Sequence, residues 1–253
     1  MNKKVLITGG GSGIGRAMGM AFAELGDDIW VTDIDRVSLD SCPSNWQKDQ
    51  LDSADEDGVA NVIKRVESEW NQLDVLCSNA GIPGPTAPLE EISVEEWRRC
   101  LSVNLDGTFI LCKYAIPLMK RQQSGVILLT SSTAGLFGFT NRAPYVSSKW
   151  ALNGLLKTLA IELGPFNIRV NTICPGSVEG SRLNLVLERE AKAKGVSLDE
   201  IRKAYDLSTS MPGFVTSSDI ASTAVFLASD GACRISGQAI AVDGNTEHPE
   251  PKF

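Results

Sequence analysis

The stretch Lys3–Gly15, KKVLITGGGSGIG, decides how the rest of the chain is read. Val5, Leu6 and Ile7 suit a buried strand. Five glycines, at 9, 10, 11, 13 and 15, follow at once. Glycine in that density after a strand means a sharp turn and a close approach of backbone to something else. Gly9, Gly13 and Gly15 form a G-x-x-x-G-x-G spacing instead of the literal G-x-G-x-x-G. The physics is the same: a strand, a tight turn, then a helix whose unpaired N–H groups and dipole favour a pyrophosphate. Gly9, Ser12, Gly13, Ile14 and Gly15 are therefore candidate cofactor contacts.

A glycine-rich turn holding no ligand is the plain alternative, and Asp33 weighs against it. It closes the next expected strand, DIWVTD, 33 − 13 = 20 residues past Gly13. An acid there accepts hydrogen bonds from the adenosine ribose hydroxyls. Its carboxylate repels a 2′-phosphate, and neither Ser12 nor Ile34 brings a compensating cation. Arg16 stands in the first helical turn, where it can equally face solvent. NAD is expected in preference to NADP.

Working outward, short apolar runs alternate with amphipathic stretches, the pattern of a parallel sheet flanked by helices. Strands are expected near 3–8, 28–33, 73–77, 125–131, 168–174 and 237–242, with a weak one near 46–51. Helices are expected near 14–25, 55–70, 94–121, 144–163, 182–205 and 217–229. No repeat or linker divides the 253 residues, so residues 1–253 read as one α/β domain, a Rossmann-like doubly wound sheet of about seven strands with helices on both faces.

Charge and composition exclude several functions. A net charge of −7 argues against nucleic acid as the main partner. No apolar run approaches a membrane span, and the chain enters its first strand too soon for a signal peptide, so a cytoplasmic protein is expected. The six cysteines form no CxxC pair and the only histidine is His248, in a Pro-rich tail, which leaves no metal site and no Ser-His-Asp triad.

Beyond the glycine turn the ordered motifs resemble those of the classical short-chain dehydrogenase/reductase family over nearly the whole chain. "SNAG" (78–81) is similar to that family's NNAG element, with Ser in first place. "SVNLDGTF" carries Asn104 where the family keeps a helical asparagine, and "YVSSK" is similar to its Tyr-x-x-x-Lys. "LLTSSTAG" sets Ser132 at 145 − 132 = 13 residues before Tyr145. "CPGSV" (174–178) and "ISGQAIAVDGN" are similar to its Pro-Gly turn and closing strand. The resemblance implies that Lys149 grips the nicotinamide ribose, that Asn104 holds a water in a proton relay, and that Asp52 and Ser53 meet the adenine. It further implies Asn79 beside the adenine ribose and the Val178 backbone at the nicotinamide carboxamide. Gly180 stands where the family often has Thr, with Ser181 as a substitute. Helix pairing into a homodimer or homotetramer is implied as well.

Residue chemistry points the same way. Tyr145 and Lys149, at i and i+4, leave one face of a helix. A free phenol, with pKa about 10, is a poor base at neutrality, and bringing it there takes roughly 4 kcal/mol of differential stabilisation. Lysine supplies the cation. Tyr145 then exchanges the hydroxyl proton of an alcohol, and Ser132 hydrogen-bonds the same oxygen.

The 42 residues between Gly176 and Asp219 contain a lid, residues 180–216, read as two amphipathic helices broken at Gly195 with Leu183, Val186 and Leu187 inward. Arg182 at its start is a candidate to receive an anionic or polyhydroxyl substrate. The expected function is NAD-dependent interconversion of a secondary alcohol, such as a sugar or polyol, with its ketone or lactone. A 3-oxoacyl thioester reductase and a non-catalytic NAD(H)-sensing or scaffold protein are the alternatives.

Overall fold

The computed structural model describes residues 2–249. In chain order the elements are β1 (Lys4–Thr8), α1 (Gly13–Glu24), β2 (Asp28–Asp33), α2 (Arg36–Asp40), β3 (Gln47–Gln50), α3 (Glu56–Trp70) and β4 (Val75–Ser78). Then come α4 (Val94–Leu101), α5 (Gly107–Gln122), β5 (Gly125–Thr130), α6 (Ala143–Leu163), β6 (Ile168–Pro175), α7 (Ser181–Lys194), α8 (Leu198–Asp206), α9 (Ser217–Leu227) and β7 (Ala239–Val242). The seven strands form one sheet in the order β3-β2-β1-β4-β5-β6-β7, every pair parallel. The chain winds one way from β1 to β3 and the other way from β4 onward, so the switch point lies between β1 and β4. A crevice forms there at the carboxyl ends of the strands.

Strand alternation divides the core into two layers. Leu6, Trp30, Leu76, Ile127 and Leu129 pack with residues of α3, α5 and α6 on one face. Val5, Ile7, Val31, Val75, Cys77 and Leu128 pack with residues of α1 and α9 on the other. Trp30 is fully buried, meets Trp70 edge-on with ring centres 5.2 Å apart, and donates its indole N–H to Asp49 at 2.7 Å.

Two elements depart from the sequence expectation. The helix expected over 94–121 is interrupted at Ser102–Asp106 by a π-helical turn, which separates α4 from α5. The short helix α2 was absent from the expectation; its start is fixed locally by Asp35, whose carboxylate accepts from the Val37 N–H at 3.1 Å.

Candidate active site

The glycine turn leads from β1 to the N-terminus of α1, at the switch point. A Cβ on Gly15 would lie 2.2 Å from the Gly9 carbonyl oxygen, so only glycine lets α1 sit this close to the turn. Gly13 has φ +53° and open space where a Cβ would stand, and it lines the main cleft of about 680 Å³ with Gly9, Ser12 and Ile14. Ser12 caps α1 without a side-chain hydrogen bond, and the first helical bond runs from Arg16 N–H to Ser12 O at 3.2 Å. The amides of Gly13, Ile14 and Gly15 precede that bond, and no acidic residue occupies the first turn. This cradle fits a dinucleotide pyrophosphate.

Asn79 holds the turn in place. Its side-chain amide donates to Thr8 O at 3.2 Å and to Gly9 O at 3.1 Å, and its backbone N–H donates to the Thr8 hydroxyl at 3.0 Å. Asp33 lines the same cleft and accepts from the Gly11 and Asp35 N–H groups at 3.0 and 3.1 Å. Arg16 turns away to Ser41, donating to its hydroxyl at 2.9 Å and its carbonyl at 3.0 Å. Asp52 and Ser53 also line the cleft. Burial works against the charged form of Asp52, but bonds from the Ala54 N–H and Arg99 (Nη2–Oδ2 3.0 Å) hold its pKa below the usual carboxylate value.

Ser132, Tyr145 and Lys149 meet in the middle of the cleft. Ser132 follows β5, accepts the Ala134 N–H at 3.1 Å, and lines the cleft with Tyr145. Lys149 is 3% exposed, donates to Thr130 O at 2.8 Å, and lies 5.6 Å from the Tyr145 ring centre. Burial raises the Tyr145 pKa, yet the Lys149 charge, Arg182, the Ser132 hydrogen bond and Arg142 outweigh it, so the phenol is more acidic than a free one. Burial lowers the Lys149 pKa, with Tyr145 pulling the other way. A phenol made acidic beside a buried ammonium is chemically able to exchange a proton with a hydroxyl oxygen.

Asn104 sits in the π-helical turn and is fully buried. Its side chain takes the Ile82 N–H at 2.8 Å and donates to Ile82 O at 3.0 Å and to the Ser148 hydroxyl at 3.1 Å. The side chain is thus engaged in fixing the cleft wall, and its backbone carbonyl takes a 3.3 Å bond from the Thr108 hydroxyl.

At the far side, Val178 lines the cleft and pairs with Val215. Those bonds use Ser177 O and Glu179 N–H, at 3.0 and 2.8 Å, which turns Val178's own amide and carbonyl to the opposite edge, as alternation along a strand requires. Gly180 has φ +141°, a conformation that a threonine would adopt only with strain. Burial pushes Cys174 up to about 11, so it is a poor thiolate.

Sequence reading missed Arg142. It precedes α6, donates to Pro83 O at 3.1 Å, and stacks 4.9 Å from the Tyr145 ring centre. Its one local signal was standing three residues before the tyrosine, where a turn separates them. Arg182 donates to Gly81 O at 3.1 Å. The lid forms α7 and α8, broken at Gly195; Leu183 and Val186 line the cleft, while Leu187 packs with Ala191 and Ile201. Thr246 and Pro249, beyond β7, complete the rim.

A family model described as Enoyl-(Acyl carrier protein) reductase matches residues 9–245. The 3-oxoacyl-(acyl-carrier-protein) reductase FabG of Thermotoga maritima is 33% identical over 249 residues, spanning 96% of this chain and 96% of that protein. A crystal structure of NAD+-bound xylitol dehydrogenase aligns with TM-score 0.93 and 29% identity over 96% of this chain and 98% of that one. A structure of ElxO with NADP bound aligns with TM-score 0.84 and 30% identity over 96% and 98%. The chain belongs to the short-chain dehydrogenase/reductase family, and is an oxidoreductase that works with a nicotinamide cofactor.

Proposed function

We propose that this protein is an NAD-dependent dehydrogenase that interconverts a secondary alcohol, of the sugar, polyol or similar hydroxy class, with its ketone or lactone. The observation that carries this reading is the convergence of Ser132, Tyr145 and Lys149 in the cleft that the glycine turn opens. When bound, the nicotinamide accepts or returns the hydride. Tyr145 takes the hydroxyl proton in oxidation and gives it back in reduction. Ser132 holds the same oxygen as charge develops on it, Lys149 keeps the phenol acidic, and the apolar lid residues Leu183 and Val186 exclude water. The glycine cradle, Asp52, Ser53, Asn79 and the Val178 backbone orient the dinucleotide.

NAD is favoured because Asp33 faces the cleft with no free cation beside it: Arg16 is held by Ser41 and Arg36 by Asp40. The same carboxylate disfavours the 3-oxoacyl thioester reductase alternative in so far as that activity draws on NADPH. Removal of Asp33 by Asp33→Ala should weaken NAD about 10- to 100-fold, the worth of hydrogen bonds to a charged group, and admit NADP. The direct test follows NADH absorbance with NAD and a panel of alcohols and sugars. A wild-type preference for NADP would sink the cofactor assignment, and absence of turnover with both cofactors would sink the enzyme.

The same reading makes the protein a cytoplasmic homodimer or homotetramer, assembled through α5 and α6. These helices expose Phe109 (53%), Trp150 (51%) and Ile161 (78%). Light scattering should give a mass two or four times 27.2 kDa; a monomer at micromolar concentration contradicts it.

A further inference from the structure

Three consecutive residues of the cleft wall carry an unusual load. Gly81 O accepts from Arg182 at 3.1 Å, Ile82 bonds Asn104 through both its N–H and its carbonyl, and Pro83 O accepts from Arg142 at 3.1 Å. The buried asparagine thereby fixes the segment from which both guanidinium groups hang. Arg182 comes from the first turn of the lid helix α7 and Arg142 from the turn ahead of α6, so wall, lid and tyrosine helix are joined at one place.

Each guanidinium has five N–H donors, and one backbone carbonyl engages a single nitrogen of each. The Arg142 Nε is buried without a hydrogen-bond partner. Among the described residues no carboxylate lies within ion-pair distance of either arginine. Among the other charged groups of the cleft, Arg99 pairs with Asp52, Glu179 with Arg202 at 3.8 Å, the Lys149 ammonium donates to Thr130 O, and Asp33 accepts the Gly11 and Asp35 N–H groups. Arg142 is half-buried, and a partly desolvated guanidinium costs stability unless an anion meets it; Arg182 is exposed at the mouth of the cleft, and the planar fork of each suits a carboxylate. Phe139, Leu183 and Val186 line the cleft beside them and suit a short apolar body.

We propose that Arg142 and Arg182 form a carboxylate subsite, and that the substrate is a hydroxy acid with a short apolar body between its carboxylate and its reacting carbon. This deepens the dehydrogenase reading and rests on it for the chemistry. The alcohol carbon gives up a hydride to NAD, the hydroxyl proton passes to Tyr145, and the carboxylate is unchanged, so the hydroxy acid leaves as an oxo acid.

Two measurements separate the subsite from the activity. In the first, the protein saturated with NADH is titrated calorimetrically with benzoate, benzamide and phenyl phosphate. Benzoate should bind at least about tenfold more tightly than benzamide. That preference should fall to about threefold or less in Arg182→Gln and in Arg142→Gln, and persist in part in Arg182→Lys, which keeps the charge without the fork. Should Arg142→Gln fail to fold, the two Arg182 variants decide the matter. Equal binding of benzoate and benzamide, a preference for phenyl phosphate, or a benzoate preference unmoved by the arginine changes would overturn the subsite. So would loss of NADH affinity in Arg182→Gln with the benzoate preference intact, since the arginine would then serve the cofactor.

The second measurement compares kcat/KM for hydroxy acids of four to seven carbons with that for their primary amides. The acids should lead by about tenfold or more, and Arg182→Gln should shrink the ratio. Turnover of neutral alcohols alone rejects the subsite and leaves the dehydrogenase standing. A benzoate preference without turnover of any compound by either cofactor rejects the dehydrogenase and leaves the subsite standing.

Discussion

Tyr145→Phe should lower kcat/KM for alcohol oxidation by about 10²- to 10⁴-fold, the range expected when a general acid–base is removed, while NADH still saturates the protein in a fluorescence titration. The change deletes a single oxygen. The ring stays between Arg142, 4.9 Å from its centre, and Lys149, 5.6 Å from it, so the wall and the helix keep their contacts. What disappears is the phenol oxygen proposed as proton acceptor, which the surrounding cations keep acidic. The loss corresponds to about 3–5 kcal/mol of transition-state stabilisation. Ser132 and the bound cofactor would still orient substrate, so a residual rate above the uncatalysed one is expected. Turnover within tenfold of wild type would remove the phenol from the chemistry and with it the assigned mechanism.

The parts of this site that were legible in the sequence are those set by local rules. The glycine turn, Asp33 at a strand end, and the i, i+4 pair of Tyr145 and Lys149 each follow from backbone geometry within a few residues. The buried strands β1, β4 and β5 were legible because a parallel sheet covered on both faces demands continuous apolar runs. Strand β3, with the sequence QKDQ, was faint because it is an edge strand with β2 as its sole neighbour, and its side chains serve other ends: Asp49 receives the Trp30 indole and pairs with Arg65. What the sequence concealed depends on distant partners. Nothing within SVNLD announces a π-helical turn, since the bonds that hold Asn104 reach Ile82, 22 residues away. Arg142 and Arg182 take their meaning from carbonyls 59 and 101 residues distant. Gly180 was noticed as a departure from the family pattern, but its reason is a backbone conformation, φ +141°, that spacing does not reveal.

Lys149→Met should cost about 10²-fold or more in oxidation, with a dependence on pH that distinguishes an electrostatic role from a holding one. Methionine keeps an unbranched chain in a site where Lys149 is 3% exposed, but it carries no charge and leaves the Thr130 carbonyl without its 2.8 Å donor. That orphaned acceptor should lower stability by about 1–3 kcal/mol, visible as a lower urea midpoint. The activity effect has a sign of its own. Burial alone drives the Tyr145 pKa up, and the Lys149 charge is the largest influence opposing it. Without that charge the phenol titrates at higher pH. Oxidation requires the phenolate, so the rising limb of the pH–rate profile moves to the alkaline side, and the deficit against wild type narrows as pH climbs. Reduction requires the protonated phenol, so its rate near neutrality suffers less from the same substitution. Arginine is not an equivalent replacement despite its charge, because its planar guanidinium cannot reproduce the compact ammonium that donates to the Thr130 carbonyl from a site only 3% exposed. A deficit constant across pH would mean that Lys149 holds the ribose and leaves the acidity of the phenol to Arg182 and Arg142. The alkaline displacement should then appear in Arg182→Gln instead.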